Sequence, residues 1–160
     1  MFKALVRTTL VADGVVDATS GLEAVAVWLG PGREMGLWPM VRAGFAIPRF
    51  AMTLPADDRR RMLEVLRQLD QKRKAVVPDP HWYVSAIGVD PAHQGEGLGS
   101  RLIAAGVDRA DRDGRPIYLE TETRSNVVFY EQRGFELIEE IVVTGLDLPV
   151  WLMIRGPQPR

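Results

Sequence analysis

A chain of 160 residues with 20 Lys and Arg against 21 Asp and Glu has room for one domain and carries no global field of either sign. A net charge of −1 argues against a nucleic-acid partner; zero cysteines exclude disulfides, thiolate metal sites and a Cys nucleophile; two histidines argue against a structural zinc site. No apolar run approaches the ~18–20 residues of a membrane span and no basic-then-apolar leader opens the chain, so the expectation is one domain over residues 1–160 in a reducing cytoplasm, with no metal and no membrane.

Phe2, Leu5, Val6, Thr9 and Leu10 recur at helical spacing without a capping residue before them, as if a helix began mid-element. Two apolar runs, 15–19 and 22–29, flank Ser20-Gly21 and predict a hairpin. Prolines and glycines punctuate residues 30–55, where Trp38 and Phe45 stand as core or cleft lining and one short helix fits after Pro39. Pro55, Asp57 and Asp58 open a clearer helix with Met62, Val65, Leu66 and Leu69 as its buried stripe, and Lys72, Arg73 and Lys74 close it as a solvated, dipole-matched end.

The run 82–89 is nearly continuous in apolar character and predicts a strand buried on both faces, stopped by Asp90-Pro91. A Gly-rich turn leads into a helix over about 98–112 with Leu98, Leu102, Ala105 and Val107 inward. Residues 117–122 alternate as a strand, Ser125 or Asn126 caps a short helix ending at Gly134, and strands over 136–143 and 150–154 flank a turn at 145–149. The order predicts a mixed α/β layer fold.

Gln94-Gly95-Glu96-Gly97-Leu98-Gly99 sits between the buried strand and the helix. Bare backbone there lets successive N–H groups face an anion, and the positive helix end adds to the attraction, so a phosphate or pyrophosphate is implied. A phosphate-binding NTPase loop is excluded because no Lys follows Gly99. A dinucleotide site, with Glu120 as its acidic residue, fits poorly: the glycines run G-x-G-x-G and lie beyond the strand tip. The remaining alternative is a helix start that binds nothing.

Val89-Asp90-Pro91 followed by this turn resembles the acyl-CoA signature Q/R-x-x-G-x-G/A of the GNAT superfamily of N-acetyltransferases. The run Asn126-Val127-Val128-Phe129-Tyr130-Glu131-Gln132-Arg133-Gly134-Phe135 is similar to the family's second signature in compressed form. The resemblance covers roughly residues 22–154. It implies a central, mixed and mostly antiparallel twisted sheet with helices on both faces. It also implies acetyl-CoA as co-substrate, held by Ile87, Gly88, Val89, Gln94, Gly95, Glu96, Gly97, Leu98, Gly99 and Ser100 together with Asn126, Phe129, Tyr130 and Arg133. Relative to the family the front is short, lacking a first strand and first helix, which leaves the strand at 15–19 as an open sheet edge and leads to the expectation of a homodimer.

Asn126, Phe129, Tyr130 and Arg133 share one face of the short helix, a mixed polar surface unlike a core stripe, although Phe129 also reads as simple core. A phenol with an ordinary pKa near ~10 matches a departing thiolate, so Tyr130 is the candidate general acid. Strand alternation puts Tyr118, Glu120 and Glu122 on one face, opposite Ile117, Leu119 and Thr121. Glu120 is the base candidate, with Glu122 or water as rivals and a solvated strand end as the bland reading. Gly88 admits a bulge or close approach, and the Val89 N–H is placed to stabilise an oxyanion. His81 and His93 read as surface residues. The expectation is acetyl transfer to a small-molecule or peptide amine by direct attack in a ternary complex; the alternative is a non-catalytic acyl-CoA sensor or partner subunit.

Overall fold

A computed structural model describes residues 14–32, 52–77, 80–144 and 147–159. The predicted helices near residues 2–10 and after Pro39, with Trp38 and Phe45, lie outside the described residues. Among the described residues six strands form one sheet: β1 (Val15–Ala18), β2 (Ala24–Leu29), β3 (Trp82–Val89), β4 (Ile117–Thr121), β5 (Glu136–Val143) and β6 (Leu148–Arg155). They lie in the order β1-β2-β3-β4-β6-β5, and every neighbouring pair is antiparallel except β3 with β4. Helix α1 (Ala56–Val76) covers one face, while α2 (Leu98–Asp113) and α3 (Arg124–Glu131) cover the other. The expected mixed, mostly antiparallel sheet with helices on both faces is the observed architecture.

Strand alternation divides the core into two layers. Ile117, Leu119 and Met153 pack with α2 and α3 around Trp28, Ile103 and Val127. Their neighbours Tyr118 and Leu152 point the other way and meet Val65 and Leu69 of α1. Of the predicted α1 stripe, Leu66 is exposed, because only the Val65–Leu69 line faces the sheet. The basic end of α1 is paired with carboxylates, Lys72 to Glu139 at 2.5 Å and Lys74 to Asp70 at 2.9 Å, as a solvated face should be.

The stripe of α2 is Leu98, Leu102, Ile103, Gly106 and Ala110 rather than one through Ala105, which is exposed. Trp28 of β2 sets this phase, for its buried ring lies where a side chain at position 106 would stand. Arg109 then fastens α2 to β1: its Nη2 donates to both oxygens of Asp17 at 2.9 and 3.0 Å, with the guanidinium between Trp28 and Trp82. At the other end Arg155 and Asp111 form a two-pronged pair at 2.7 and 3.0 Å, their side chains only 5% and 12% exposed, which locks β6 to α2.

Several boundaries differ from expectation for local reasons. The hairpin strands stop short of the turn, where Leu22 takes a left-handed φ of 63° and Thr19 closes the loop by donating to Glu23 Oε2 at 2.5 Å. Thr123, not Ser125 or Asn126, occupies the cap position of α3, and its carbonyl accepts from Asn126 and Val127. Strand β6 begins two residues early because Leu148 and Pro149 continue the pairing with Val143 and Val142. Glu122 falls just beyond β4 and is exposed.

Strand β3 is buried at Trp82 and Val84 but opens toward its end, where Gly88 is exposed. The bulge lies at Ser85, not at Gly88: Val27 pairs Ala86 and Trp28 pairs Val84, leaving Ser85 unmatched, while Gly88 pairs Val25 in register. Extra twist at a bulge turns a strand away from its neighbour. Accordingly β3 and β4 pair only at Trp82 with Ile117 and at Tyr83 with Tyr118, although β4 continues alongside β6 through Thr121. The sheet therefore splits after Tyr83 and Tyr118.

Candidate active site

The split exposes backbone. Asp90 N–H donates to Glu23 O across the hairpin side, so by alternation the Val89 N–H and C=O point away from β2, into the opening. Gln94 folds back over this edge, Nε2 to Val89 O at 3.4 Å. Between them a short 3₁₀ turn, Pro91–His93, is capped by Asp90, whose side chain accepts from Ala92 N at 2.9 Å. The glycine turn follows with left-handed φ of 89° at Gly95 and 76° at Gly97, conformations that side chains with a Cβ resist. A Cβ at either would meet nothing within 4 Å, so it is dihedral freedom and an open approach that call for glycine here. Gly97 caps α2, leaving the first helical N–H groups directed at the cleft.

This turn, the end of β3 and one face of α3 line a cleft of about 510 Å³. Ile87, Gly88, Val89, Gln94, Gly95, Gly97, Leu98, Gly99, Ser100, Asn126, Phe129, Tyr130 and Arg133 all reach it, so the structure gathers every predicted binding residue except Glu96. Glu96 turns outward to His93 Nδ1 at 3.2 Å. His93, expected at the surface, keeps 42% of its side chain exposed there and lines the edge of the cleft from the 3₁₀ turn.

Arg133 is the cleft's cation. Its guanidinium stacks on Phe129, 3.5 Å from the ring centroid, and donates to Phe129 O and Ser100 Oγ, while its Nε is buried without a partner. Burial holds it below the usual arginine range, opposed by the field of Tyr130. A partly desolvated guanidinium bonded only to neutral oxygens, beside a helix start, is a donor set that fits a phosphate or pyrophosphate. Phe129 is thus half-buried lining rather than plain core. Asn126 reaches back to β4, Nδ2 to Thr121 Oγ1 at 3.0 Å. Tyr130 is buried between Phe129 and Phe135, with centroids at 5.1 and 5.5 Å, and burial, reinforced by Glu122, pushes its phenol up to about 12. It stays protonated at any physiological pH.

Across the split, on the α1 face, lies a polar cluster. Glu120 sits between Tyr83 and Tyr118, whose rings are 5.9 Å apart, with Arg73 over Tyr83 at 5.7 Å. Burial pushes the Glu120 carboxyl up, against the lowering effect of both phenols and Arg73. Tyr118 Oη is fully buried and lacks a hydrogen-bond partner in good geometry, although Glu120 is the group it leans toward. His81, expected at the surface, is buried at 6% exposure, with Nε2 3.3 Å from Arg73 Nη1 and its ring edge-on to Tyr118. Sequence reasoning found Glu120 and Glu122 here but missed Tyr83 and Arg73. The alternation of β3 against β4 puts Tyr83 beside Tyr118, yet only the register of the parallel pair reveals it.

Known proteins share these features. The acetyltransferase (GNAT) domain pattern matches residues 60–137. An uncharacterized N-acetyltransferase of Schizosaccharomyces pombe is 30% identical over 165 residues, covering 99% of this chain and 66% of the yeast protein. A mycothiol acetyltransferase of Thermobifida fusca is 39% identical over 70 residues, 42% of this chain and 22% of that protein. The chain thus spans less than two thirds of the length of these relatives. Among solved structures, a histone acetyltransferase HPA2 and related acetyltransferase from Corynebacterium glutamicum aligns with TM-score 0.58 and 22% identity over 95% of this chain and 68% of its own. A mosquito arylalkylamine N-acetyltransferase like 5b aligns with TM-score 0.59 and 17% identity over 89% and 74%. With the shared fold, both signature runs in the cleft, the domain pattern over residues 60–137 and a yeast N-acetyltransferase aligned along 99% of this chain, the chain carries a GNAT acetyltransferase domain.

Proposed function

We propose that the chain moves an acetyl group from acetyl-CoA to a primary amine, on a small molecule or a peptide, by direct attack with both substrates bound. The observation that carries this reading is the split between β3 and β4, which has a helix start suited to an anion and a protonated phenol on one face of the sheet and a half-buried carboxyl on the other. Acetyl-CoA supplies a thioester carbonyl and a thiolate leaving group. The turn at residues 94–100 and Arg133 hold its pyrophosphate through backbone N–H groups and the guanidinium. The Val89 N–H, directed into the opening, stabilises negative charge on the carbonyl oxygen. Glu120 draws the cationic amine and takes its proton, directly or through water, and its raised proton affinity strengthens it as a base. Tyr130 donates a proton to the departing sulfur. With zero cysteines in the sequence, no thiol is available to carry an acyl-enzyme.

Release of free thiol from acetyl-CoA over a panel of primary amines tests the reading. Amine-dependent release supports it, whereas tight acetyl-CoA binding with no turnover on any amine favours a non-catalytic acyl-CoA-binding module. Among the described residues β1 has a neighbour on one side only, which supports the expectation of a homodimer. Light scattering at micromolar concentration decides it, a clean monomer being the contrary result.

A further inference from the structure

Helix α1 brings one half-buried cation to the α1-face cluster. Arg73 is 14% exposed on its side chain; it bonds Asp70 at 2.5 Å, approaches His81 Nε2 at 3.3 Å and lies over the Tyr83 ring. Asp70 does not neutralise it fully, because the same carboxylate also holds Lys74 at 2.9 Å and is 44% exposed, open to solvent screening. Of the two cations that Asp70 holds, Arg73 is the less exposed, 14% against 50% for Lys74, and it lies over Tyr83, the last residue of β3 paired with β4. The groups facing Glu120 can be named element by element. Tyr83 comes from β3, Tyr118 from β4, Arg73 from α1 and Glu122 from beyond β4, while its partner on β6 is the apolar Leu152. Among the described residues Arg73 is the cation in this set, against Glu122 and the cost of burial.

We infer that Arg73 is a positioning residue that keeps Glu120 in its charged, proton-accepting form beside the split between β3 and β4. The assignment of Glu120 as base, on which the catalytic half of this inference rests, comes from the proposed function. Burial favours the protonated carboxyl, the two phenols opposing it only in part, and a protonated Glu120 cannot accept a proton from an ammonium. A full positive charge held at low exposure counters that tendency without touching the substrate.

The test follows the Glu120 side-chain carboxyl by carbon NMR through a pH titration of the ligand-free protein, in wild type, Arg73→Met, Arg73→Lys and Asp70→Asn. Removing the cation in Arg73→Met should move the Glu120 midpoint to higher pH, Arg73→Lys should restore it toward wild type, and Asp70→Asn should move it lower. In turnover, Arg73→Met should lose about tenfold in kcat/KM near pH 6 relative to its alkaline plateau, with the loss shrinking as pH rises. An unmoved midpoint in Arg73→Met, a failure of Arg73→Lys to restore it, or an upward move in Asp70→Asn overturns the inference. Should Arg73→Met not fold, the surface change Asp70→Asn decides it alone. Glu120→Gln separates the two layers: if it keeps the wild-type acidic limb, Glu120 is not the base, yet the NMR titration still judges the link from Arg73 to Glu120.

Discussion

Gly106→Ala is a substitution that helix propensity alone would favour, since alanine gains roughly 1 kcal/mol over glycine inside a helix. The packing opposes it. A Cβ at position 106 would stand 2.7 Å from Cε2 of Trp28, and closer still to Cζ2 and Cη2, where carbon contacts settle at about 3.5–4.0 Å. Trp28 is 0% exposed and held by Arg109 and the core around Ile103, so the ring has no free direction in which to retreat. Overpacking of this kind costs about 1–3 kcal/mol, and the steep overlap places this case at the upper end. The expected net loss is about 1–2 kcal/mol, or a fall in melting temperature of roughly 2–8 °C at this chain length. Urea unfolding followed by circular dichroism measures it, and pairing the change with Trp28→Phe should recover much of the loss by shrinking the ring. A Gly106→Ala protein as stable as wild type, or more so, refutes the claim that Trp28 sets the phase of α2.

Gly97→Val places a β-branched residue at a φ of 76° in the mouth of the cleft, and should abolish the thermal upshift of about 2.7 kcal/mol expected at a hundredfold excess of acetyl-CoA over its Kd; an undiminished upshift in a folded variant moves the site elsewhere. Tyr130→Phe keeps the ring stack and removes the proton donor, so turnover should fall roughly 10²–10⁴-fold with acetyl-CoA affinity little changed, and unchanged turnover with chemistry rate-limiting makes the residue structural. Because the Glu120 carboxyl is raised in the fold, the folded state binds its proton more tightly than the unfolded chain, so its contribution to stability is present below the ordinary carboxylate range and is lost as pH rises through the folded value. Glu120→Gln should then gain stability on wild type at pH 8 and not at pH 4, and equal differences at both values contradict the shift. Leu22→Asn relieves a left-handed leucine at an exposed turn and should stabilise by about 0.5–1 kcal/mol in the same unfolding assay; a loss would mean that the leucine side chain makes a needed contact.

What could be read from the sequence was whatever the chain writes into local backbone chemistry. Asp90-Pro91, the glycines at 95 and 97 and the stop at Gly134 fix turns by dihedral preference, and β3 falls where its apolar run begins and ends. The face of α3 was legible because Asn126, Phe129 and Tyr130 at helical spacing reach the cleft together, joined by Arg133 from the turn just past the helix end. Features set by distant partners were not. The phase of α2 depends on an indole contributed by β2, and Ala105 cannot be told from Gly106 without it. His81 is buried because Arg73 of α1 and Tyr118 of β4 close over it. Glu96 looks like a turn residue facing a phosphate until His93 draws its carboxylate outward.

The position of the bulge explains why the chemistry falls where it does. A parallel pair inside a sheet ordinarily satisfies every backbone group along its length. Here Ser85 breaks register, and β3 leaves β4 after two paired positions, so the inward-facing N–H and C=O of Val89 are left without a strand partner. Gln94 covers the carbonyl from the start of the glycine turn. The N–H has to be met by water or by a bound group, and an unmet buried donor costs about 1–3 kcal/mol. The family's transferred group carries a carbonyl oxygen, an acceptor for such a donor. A bulge moved to Gly88 would have kept β3 paired with β4 for longer, covering the backbone edge at Val89. The same local defect therefore opens the sheet beside the cleft and supplies its polar edge.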